Sequence, residues 1–383
     1  MTRSSRLWLA ALLVFSWGLA QAAGAQVALP RGGKVTGVLG TPVQWADLRL
    51  WPPRHVDSFP TGTTSPALAF YHDELLLVEE YQRALYLSRL ALDNLAIRAT
   101  KQLCGPQGQE SIGHVDAAVL ADRLWVTWIS RPAAAEAETG GRQMFLSYDL
   151  QSEASAQPTA LQAAADCALT TFGGKLWAVW RTSGPEGAVY LARYDTAAGL
   201  QQPQQWEVQR ASWQTATAVD LGAELLLAGV RATATSAPPP AGTSPTPLVT
   251  VPLRLPVLFG APQQLWAAKF NGQRFYDSRM LRGPGRYSSL TGAMLGNAVL
   301  LAYGYQPPAL ATAGHSNLDI TLAAASGGEV VSTSYVADGA FNFDPDSVGS
   351  GDTIFVAFNK WSAPPGTGAG VINQGTFLGR IER

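Results

Sequence analysis

The chain has 383 residues, of which 47% are hydrophobic and 14% are charged. This balance supports a large folded core and excludes a chain that is disordered throughout. The formal net charge of -1 lacks the basic excess that nucleic-acid binding usually requires, so we expect no nucleic-acid partner.

The N-terminus has the pattern of a secretory signal peptide. A basic start precedes the apolar run Leu7 to Ala20, which is shorter than a typical membrane span. Ala23-Gly24-Ala25 fits a cleavage site, and Ala20-Gln21-Ala22 is a second candidate. We therefore expect residues 1–25 to be removed and residues 26–383 to form one exported domain, periplasmic or secreted, without membrane insertion. An uncleaved membrane anchor is the alternative.

Six copies of a polar turn followed by an apolar strand run through the rest of the chain. The apolar strands begin at Leu75, Leu124, Leu176, Leu225, Val299 and Ile354. Each copy predicts a first strand of small residues, a tight turn and an aromatic second strand, as in Ala117–Leu120 followed by Leu124–Ile129. Both strands are apolar on both faces, so we expect both to be buried. Repeated units of this kind must stack to bury their apolar faces.

A third strand follows a variable loop, and a more polar fourth strand follows a hairpin turn. Third strands are predicted at Leu85–Arg89, Met144–Tyr148, Val189–Tyr194 and Leu265–Phe270. Fourth strands are predicted at Trp206–Val208, Phe275–Leu281 and Val330–Tyr335. Asn271-Gly272 between two of these strands is a strong hairpin signal.

Four antiparallel strands per copy, small inside and polar outside, are typical of a propeller blade. The predicted fold class is therefore all-β, a six-bladed β-propeller of four-stranded antiparallel blades with little helix. The sixth copy ends with Asn373 to Leu378 as its third strand, so we expect an N-terminal strand within Val35 to Leu50 to close the ring. A pair of β-sandwiches is the alternative architecture.

The blades resemble those of sialidase-like (Asp-box-type) six-bladed β-propellers. The resemblance rests on runs such as Asp344-Pro345-Asp346-Ser347-Val348 before the turn, the Leu-Trp-Val-x-Trp-like strand after it, and a Tyr-x-x-Arg/Tyr-Asp third strand. It covers the chain from Ser65 onward and implies the propeller shape. Sialidases also carry Asp boxes, an arginine cluster and a Tyr–Glu pair, and no motif here supplies them. The resemblance therefore implies the fold and not an activity.

Two sets of equivalent positions mark the start of the first strands. One contains Ser65, His114, Asp166, Thr215, Ser289 and Asp344, and the other contains Ala67, Asp116, Ala168, Thr217, Thr291 and Asp346. Asp116 and Asp346 should lie near the axis, where two carboxylates suit acid/base work on a glycoside or a divalent cation. Alternatively, they cap strand N–H groups or bind channel water. His114 is a candidate base or a structural residue.

The ends of the second strands should lie on the same face as the starts of the first strands. Arg181 and Arg231 end two of them and are candidates to clamp an anionic ligand. Tyr305 and Trp361 are candidates to stack a sugar ring, or are core residues. The long insertions, including the flexible Pro/Ser/Thr-rich loop 232–247, should share this face. The tryptophan pairs of the second strands should pack between blades.

The chain has two cysteines, Cys104 and Cys167, and four histidines. In an exported protein we expect a Cys104–Cys167 disulfide bond that fastens neighbouring blades. The histidines are too scattered to suggest a metal site, and no cofactor is expected.

These patterns favour an exported propeller that acts as a non-catalytic binding or scaffold protein, with a glycan or a cell-envelope protein as its partner. The alternative is a sialidase-like glycoside hydrolase or lyase that acts on a glycan in the central funnel. In that case Asp116, Asp346 and His114 are the candidate catalytic residues. A purely structural envelope protein is a third possibility.

Overall fold

The computed structural model describes residues 42–56, 59, 64–106, 110–132, 141–183, 187–206, 212–232, 262–306, 316–326, 330–362 and 372–383. Within these ranges the chain forms strands and turns and contains no helix. Accordingly, no described helix could cross a membrane. The predicted signal peptide and all but Ala232 of the predicted flexible loop lie outside the described residues.

The first half of the chain forms two N-terminal strands and three sheets. The N-terminal strands are β1 (Val43–Trp45) and β2 (Leu48–His55). The first sheet contains β3 (Thr64–Tyr71), β4 (Glu74–Tyr81), β5 (Ala84–Ala91) and β6 (Ile97–Cys104). The second contains β7 (Glu110–Leu120), β8 (Arg123–Pro132), β9 (Gly141–Asp149), β10 (Ala154–Ser155) and β11 (Thr159–Ala164). The third contains β12 (Asp166–Phe172), β13 (Lys175–Arg181), β14 (Val189–Asp195) and β15 (Gly199–Gln205).

The second half forms two further sheets. One contains β16 (Ser212–Asp220), β17 (Leu225–Ala232), β18 (Gln263–Phe270), β19 (Phe275–Leu295), β20 (Ala298–Gln306), β21 (Asn317–Ala324) and β22 (Val330–Val336). The last contains β23 (Phe341–Ser350), β24 (Thr353–Ser362) and β25 (Ile372–Glu382). Strands β1 and β2 join it in the order β1-β2-β25-β24-β23. All these pairings are antiparallel.

The expectation of six separate four-stranded blades is wrong for this structure. Four sheets have the size of one blade, with four or five strands each, and the fifth sheet has seven strands. The cause is β19, which is 21 residues long. Its first part pairs with β18 and its second part with β20. Strands β16 to β18 and strands β20 to β22 are therefore joined into one sheet by a continuous β19.

Two predicted strands lie elsewhere in the sequence. The fourth strand of the third sheet is Gly199–Gln205, because a glutamine-rich run can form an exposed edge without apolar alternation. Of the predicted strand Trp206–Val208, all but Trp206 lies outside the described residues. The strand beside β25 is Leu48–His55, which overlaps the predicted segment Val35–Leu50 only at its end. Leu50 lies opposite Ile381 in that pairing.

The first strands surround a common axis in a propeller-like ring. Strand β3 contacts β7, β7 contacts β12, β12 contacts β16, β16 contacts β19, β19 contacts β23, and β23 contacts β3. The small residues predicted for these strands let them approach the axis closely. An axial cavity remains, and all six first strands line it.

Large apolar side chains fill the space between neighbouring sheets. Trp128 is fully buried and packs with Leu76 and Val78 of the first sheet and with Leu124 of its own sheet. Trp125 and Trp180 are also buried in clusters between strands. The prediction that the second-strand tryptophans serve packing is confirmed at these positions. Burial of such rings is a major stabilising contribution to the fold.

Candidate functional site

Five of the six first strands carry a bulge near their start. The pairing register shifts between Thr64 and Ala67, Gly113 and Asp116, Trp213 and Thr215, Ser288 and Leu290, and Phe343 and Asp346. Inside four of these bulges Ser65, His114, Ser289 and Asp344 have φ values of 46°, 50°, 38° and 45°. Residues other than glycine rarely adopt this backbone conformation, and it concentrates at functional sites. The repeated bulge turns one polar side chain per strand toward the axis.

These side chains and their equivalents form a hydrogen-bonded arc that we call the axial polar ring: Ser65, His114, Asp166, Thr215, Ser289 and Asp344. The Ser289 hydroxyl donates to Asp344 Oδ1 at 2.6 Å, and Ser65 donates to Asp344 Oδ2 at 3.4 Å. Ser65 Oγ also accepts the His114 N–H at 3.2 Å. The Thr215 side chain lies near enough to Asp166 to lower the pKa of its carboxyl. One level of the structure thus brings together polar side chains from the starts of all six first strands.

His114 and Asp166 form the central pair of this arc. The imidazole Nδ1 lies 3.0 Å from Asp166 Oδ1, and the His114 side chain is 32% exposed. Burial raises the pKa of Asp166, but His114, Thr215 and Arg181 together outweigh burial and lower it. Asp166 therefore carries a negative charge beside the imidazole. It also fixes the ring orientation, as an orienting carboxylate does for a histidine base.

Asp116 and Asp346 make the same contacts in two different sheets. Asp116 Oδ2 accepts the N–H of Leu169 in the next sheet at 2.8 Å, and Oδ1 accepts the N–H of Ala117 at 2.6 Å. Asp346 Oδ2 accepts the N–H of Leu68 in its next sheet, and Oδ1 accepts the N–H of Ser347. The Thr291 hydroxyl donates to Asp346 as well. Each carboxyl therefore caps a first strand, one of the two roles that the sequence left open.

The same two carboxyls are electrostatically coupled. Burial and the nearby charge of Asp346 raise the pKa of Asp116 well above its usual range. Burial raises the pKa of Asp346 to about 6. Both residues line a cavity of about 40 Å³ beside the axial polar ring and a second, larger axial cavity. The pair therefore occupies the boundary between two cavities on the axis.

The two predicted strand-end arginines, Arg181 and Arg231, have different surroundings. Arg231 stacks on Trp266, with the guanidinium carbon 4.1 Å from the ring centre. Arg181 lies near Arg131 and Asp166. The charge of Arg181 lowers the pKa of Asp166, and the charges of Asp166 and Arg181 both affect the pKa of Arg131. Arg131 Nη2 donates to the Ala165 carbonyl at 2.8 Å, whereas its Nε has no hydrogen-bond partner among the described residues.

Tyr305 and Trp361 lie at strand ends on the predicted face, opposite Tyr287 and Phe341. Both are buried, each with 8% exposure. The guanidinium carbon of Arg282 lies 3.7 Å from the centre of the Tyr305 ring. The burial of both side chains favours the core alternative.

The predicted Cys104–Cys167 disulfide bond is absent. Cys104 ends the outer strand of the first sheet, whereas Cys167 lies in the first strand of the third sheet. The second sheet separates them, so their loops are not neighbours. Cys167 Sγ donates to the His114 carbonyl at 3.2 Å, and burial raises the pKa of its thiol well above the usual range.

Two features of the site were not singled out from the sequence. Arg131 is followed by a proline and did not stand out among the strand-end arginines, although it lies beside Asp166. The role of Asp344 as an acceptor in the ring depends on a bulge, which apolar patterns do not reveal. Among the described residues no group of three or more His, Cys, Asp or Glu side chains is arranged to hold a metal ion.

Comparisons with known proteins find structures of similar fold but no similar sequence. No protein-family model matches the chain. No curated protein sequence matches it either. The structure is similar to that of Trypanosoma rangeli sialidase in complex with sialic acid, with a TM-score of 0.56 and 6% identity over 92% of this chain and 59% of that chain.

Two further structures of that enzyme give the same result. The complex with the inhibitor DANA has a TM-score of 0.54 and 5% identity, and the match covers 92% of this chain and 60% of the other. A mutant displaying trans-sialidase activity has a TM-score of 0.52 and 5% identity, with 90% and 57% covered. This chain thus spans about 60% of the length of the sialidase it matches. The likeness establishes a sialidase-like β-propeller fold for this chain.

Proposed function

We propose that this protein binds a glycan on the face that carries the axial polar ring, without catalysing a reaction on it. One observation carries the proposal. Both carboxyls that a glycosidase site would require, Asp116 and Asp346, accept main-chain N–H groups from neighbouring sheets. They are therefore held as structural caps, and a carboxylate so engaged is poorly placed to approach a glycosidic oxygen.

The groups that would contact the ligand lie around the same opening. Arg131 and Arg181 bring two guanidinium groups near Asp166, and His114 adds a partly exposed imidazole. Guanidinium groups bind carboxylates through paired hydrogen bonds, so a glycan that contains an acidic sugar is the favoured ligand. The similarity to a sialidase bound to sialic acid supports this choice.

A glycoside hydrolase or lyase is the second candidate. Its support is the raised pKa of both Asp116 and Asp346, because a carboxyl that keeps its proton near neutral pH can serve as a general acid. The His114–Asp166 pair, with Nδ1 held by the carboxylate, would supply a base. This candidate requires substrate to reach the boundary between the two axial cavities.

The ring architecture underlies both candidates. We propose that the seven-stranded sheet is two blades that share β19, which gives six units, and that β2 closes the ring beside β25. The two-part pairing of β19 and the Leu50–Ile381 register support this arrangement. Cysteines introduced for Arg49 and Glu382, which face each other across β2 and β25, should form a disulfide bond. Failure of that pair to cross-link would count against closure.

Export remains part of the proposal. The basic and apolar start of the chain supports cleavage after residue 25 and a periplasmic or extracellular location, with a cell-envelope protein as a further possible partner. N-terminal sequencing of the protein recovered from outside the cytoplasm would test it. A mature start at Met1 would refute cleavage.

The decisive experiment compares binding with turnover. Wild type should bind acidic glycans on an array and release no product from a panel of chromogenic glycosides. Arg131→Ala and Arg181→Ala should weaken glycan binding at least tenfold, which is about 1.4 kcal/mol per lost charged contact. Arg231→Ala is the matched control, because this strand-end arginine stacks on Trp266 and should leave binding unchanged. Turnover that Asp116→Asn abolishes would favour the enzyme instead.

A further inference from the structure

The larger axial cavity has a volume of about 300 Å³ and opens at the end of the first strands opposite the axial polar ring. A single water molecule needs only about 10 to 15 Å³ of such space. The tight turns at this end, from the first to the second strand of each unit, all lie within the described residues. The shape of the cavity is therefore set by residues whose positions are known.

The walls of this cavity carry carboxyl groups and no basic group. Asp116 and Asp346 lie at its inner end and Asp220 lies near its mouth, whereas no Lys, Arg or His lines it. Asp220 Oδ1 accepts the Gly222 N–H at 2.7 Å. No ion pair to Asp220 occurs in the part of the chain that the structure describes. Once Asp346 loses its proton above its pKa of about 6, the cavity favours a positively charged occupant.

Thr217 gives a second and independent sign of a ligand. Its side chain lines both axial cavities, and the residue is only 5% exposed. Across the described ranges its hydroxyl has no hydrogen-bond partner, although the equivalent Thr291 donates to Asp346 at 2.9 Å. A hydroxyl that faces a cavity and has no protein partner meets water or a ligand there.

The rim of the opening also favours cations. Its turns carry Asp73, Asp122 and Asp352, none of which forms an ion pair within the described segments, and the exposed basic residues of these turns that have no ion pair there are His72 and Lys175. Arg123 of the same turns is paired with Asp149. An acidic rim raises the local concentration of cations and speeds their entry.

We propose that this cavity binds a small organic cation whose ammonium group meets Thr217 and the inner carboxyls. An ammonium group offers three donors, which suit the Thr217 hydroxyl and the remaining lone pairs of Asp116 and Asp346. Apolar wall residues such as Phe70, Ala218 and Val219 suit a short alkyl chain. A bare divalent ion fits less well, because no described trio of acidic or other ligating side chains is arranged for one.

The placement of Asp220 favours a diamine over a monoamine. Asp220 follows Thr217 by three positions on β16. At about 3.4 Å per residue the Cα atoms of Thr217 and Asp220 are about 10 Å apart along the strand. A diamine can therefore place one ammonium group at the inner carboxyls and direct the other toward Asp220. This site opens at the end opposite the proposed glycan face, and its test does not depend on glycan binding.

Isothermal titration calorimetry with 1,4-diaminobutane tests the proposal directly. We expect saturable binding of the diamine, weaker binding of butylamine, and none of 1,4-butanediol, which has the same chain without charge. Sodium, potassium and calcium chlorides distinguish an organic site from an inorganic one. Binding of the diol as tightly as the diamine, or of calcium in its place, would overturn the proposal.

Three variants locate the site. Thr217→Val should weaken diamine binding about fivefold, which corresponds to one hydrogen bond, and Thr217→Ser should restore it. Asp220→Asn should weaken the diamine more than butylamine. Asp195→Asn, on an exposed hairpin away from the axis, is the matched control and should change neither. Unchanged affinity in both Thr217→Val and Asp220→Asn, with native thermal unfolding, would refute the assignment.

Discussion

Replacement of Asp346 by Asn should change how the stability of the protein depends on pH. Burial raises the pKa of Asp346 from its ordinary 3.8 to about 6. Between these values the folded protein keeps a proton that the unfolded chain has lost, so the contribution of Asp346 to stability falls as the pH rises. At about 1.36 kcal/mol for each pH unit between the two pKa values, the full effect is about 3 kcal/mol.

Urea unfolding of wild type and Asp346→Asn across the range from about pH 4 to pH 7 measures this effect. The free energy of unfolding of wild type minus that of the variant should fall by about 3 kcal/mol across this range, because Asn does not titrate. Hydrogen bonds that Asn fails to make lower the stability of the variant by the same amount at every pH, so they do not contribute to the change of this difference with pH. For Asp116→Asn, the free energy of unfolding of wild type minus that of the variant should also fall as the pH rises, since burial and Asp346 raise the pKa of Asp116.

Asp195→Asn provides a control for the same chemical change on an exposed hairpin away from the axis. A wild-type minus Asp346→Asn difference that stays constant would refute the coupled buried pair. A difference that grows with pH would show that the folded carboxyl is stabilised as its anion. Either result would remove the main physical support for the enzyme candidate as well.

Three further predictions concern core packing, the two cysteine thiols and a buried ion pair. Trp128→Ala should lower the free energy of unfolding by about 3 to 5 kcal/mol, because the ring is fully buried between two sheets; a loss below about 1 kcal/mol in urea unfolding would contradict this packing. Cys104 and Cys167 should both react with a thiol reagent after denaturation without reductant, and the absence of reactive thiols would reveal a disulfide bond. Arg282→Met should cost about 3 to 5 kcal/mol because it strands the buried Asp319, and the double variant with Asp319→Leu should recover part of that loss in urea unfolding.

The sequence pattern was sufficient for the strands whose apolar faces are both buried. Leu124–Ile129 and Val189–Tyr194 fall inside β8 and β14, because their patterns depend on local burial. It was insufficient where pairing depends on distant parts of the chain. The continuous β19 and the pairing of β2 with β25 are set by register and length, which a local pattern does not encode.

The site shows the same division between local and distant information. The equivalence of Asp116 and Asp346 follows from repeat alignment, and the structure gives both the same capping role. The neighbours of Arg181 do not follow from the repeat. Arg131 belongs to the neighbouring second sheet and reaches the third sheet by donating to the Ala165 carbonyl. The mistaken disulfide has the same origin, since Cys104 and Cys167 are close in repeat order but belong to sheets that are not adjacent.

Glycan binding measured together with glycoside turnover tests the central claim most directly. The account predicts that wild type retains an acidic glycan on an array, that Arg131→Ala and Arg181→Ala lose it while Arg231→Ala keeps it, and that no chromogenic glycoside is cleaved. Cleavage by wild type that Asp116→Asn or Asp346→Asn abolishes without unfolding the protein would contradict the account.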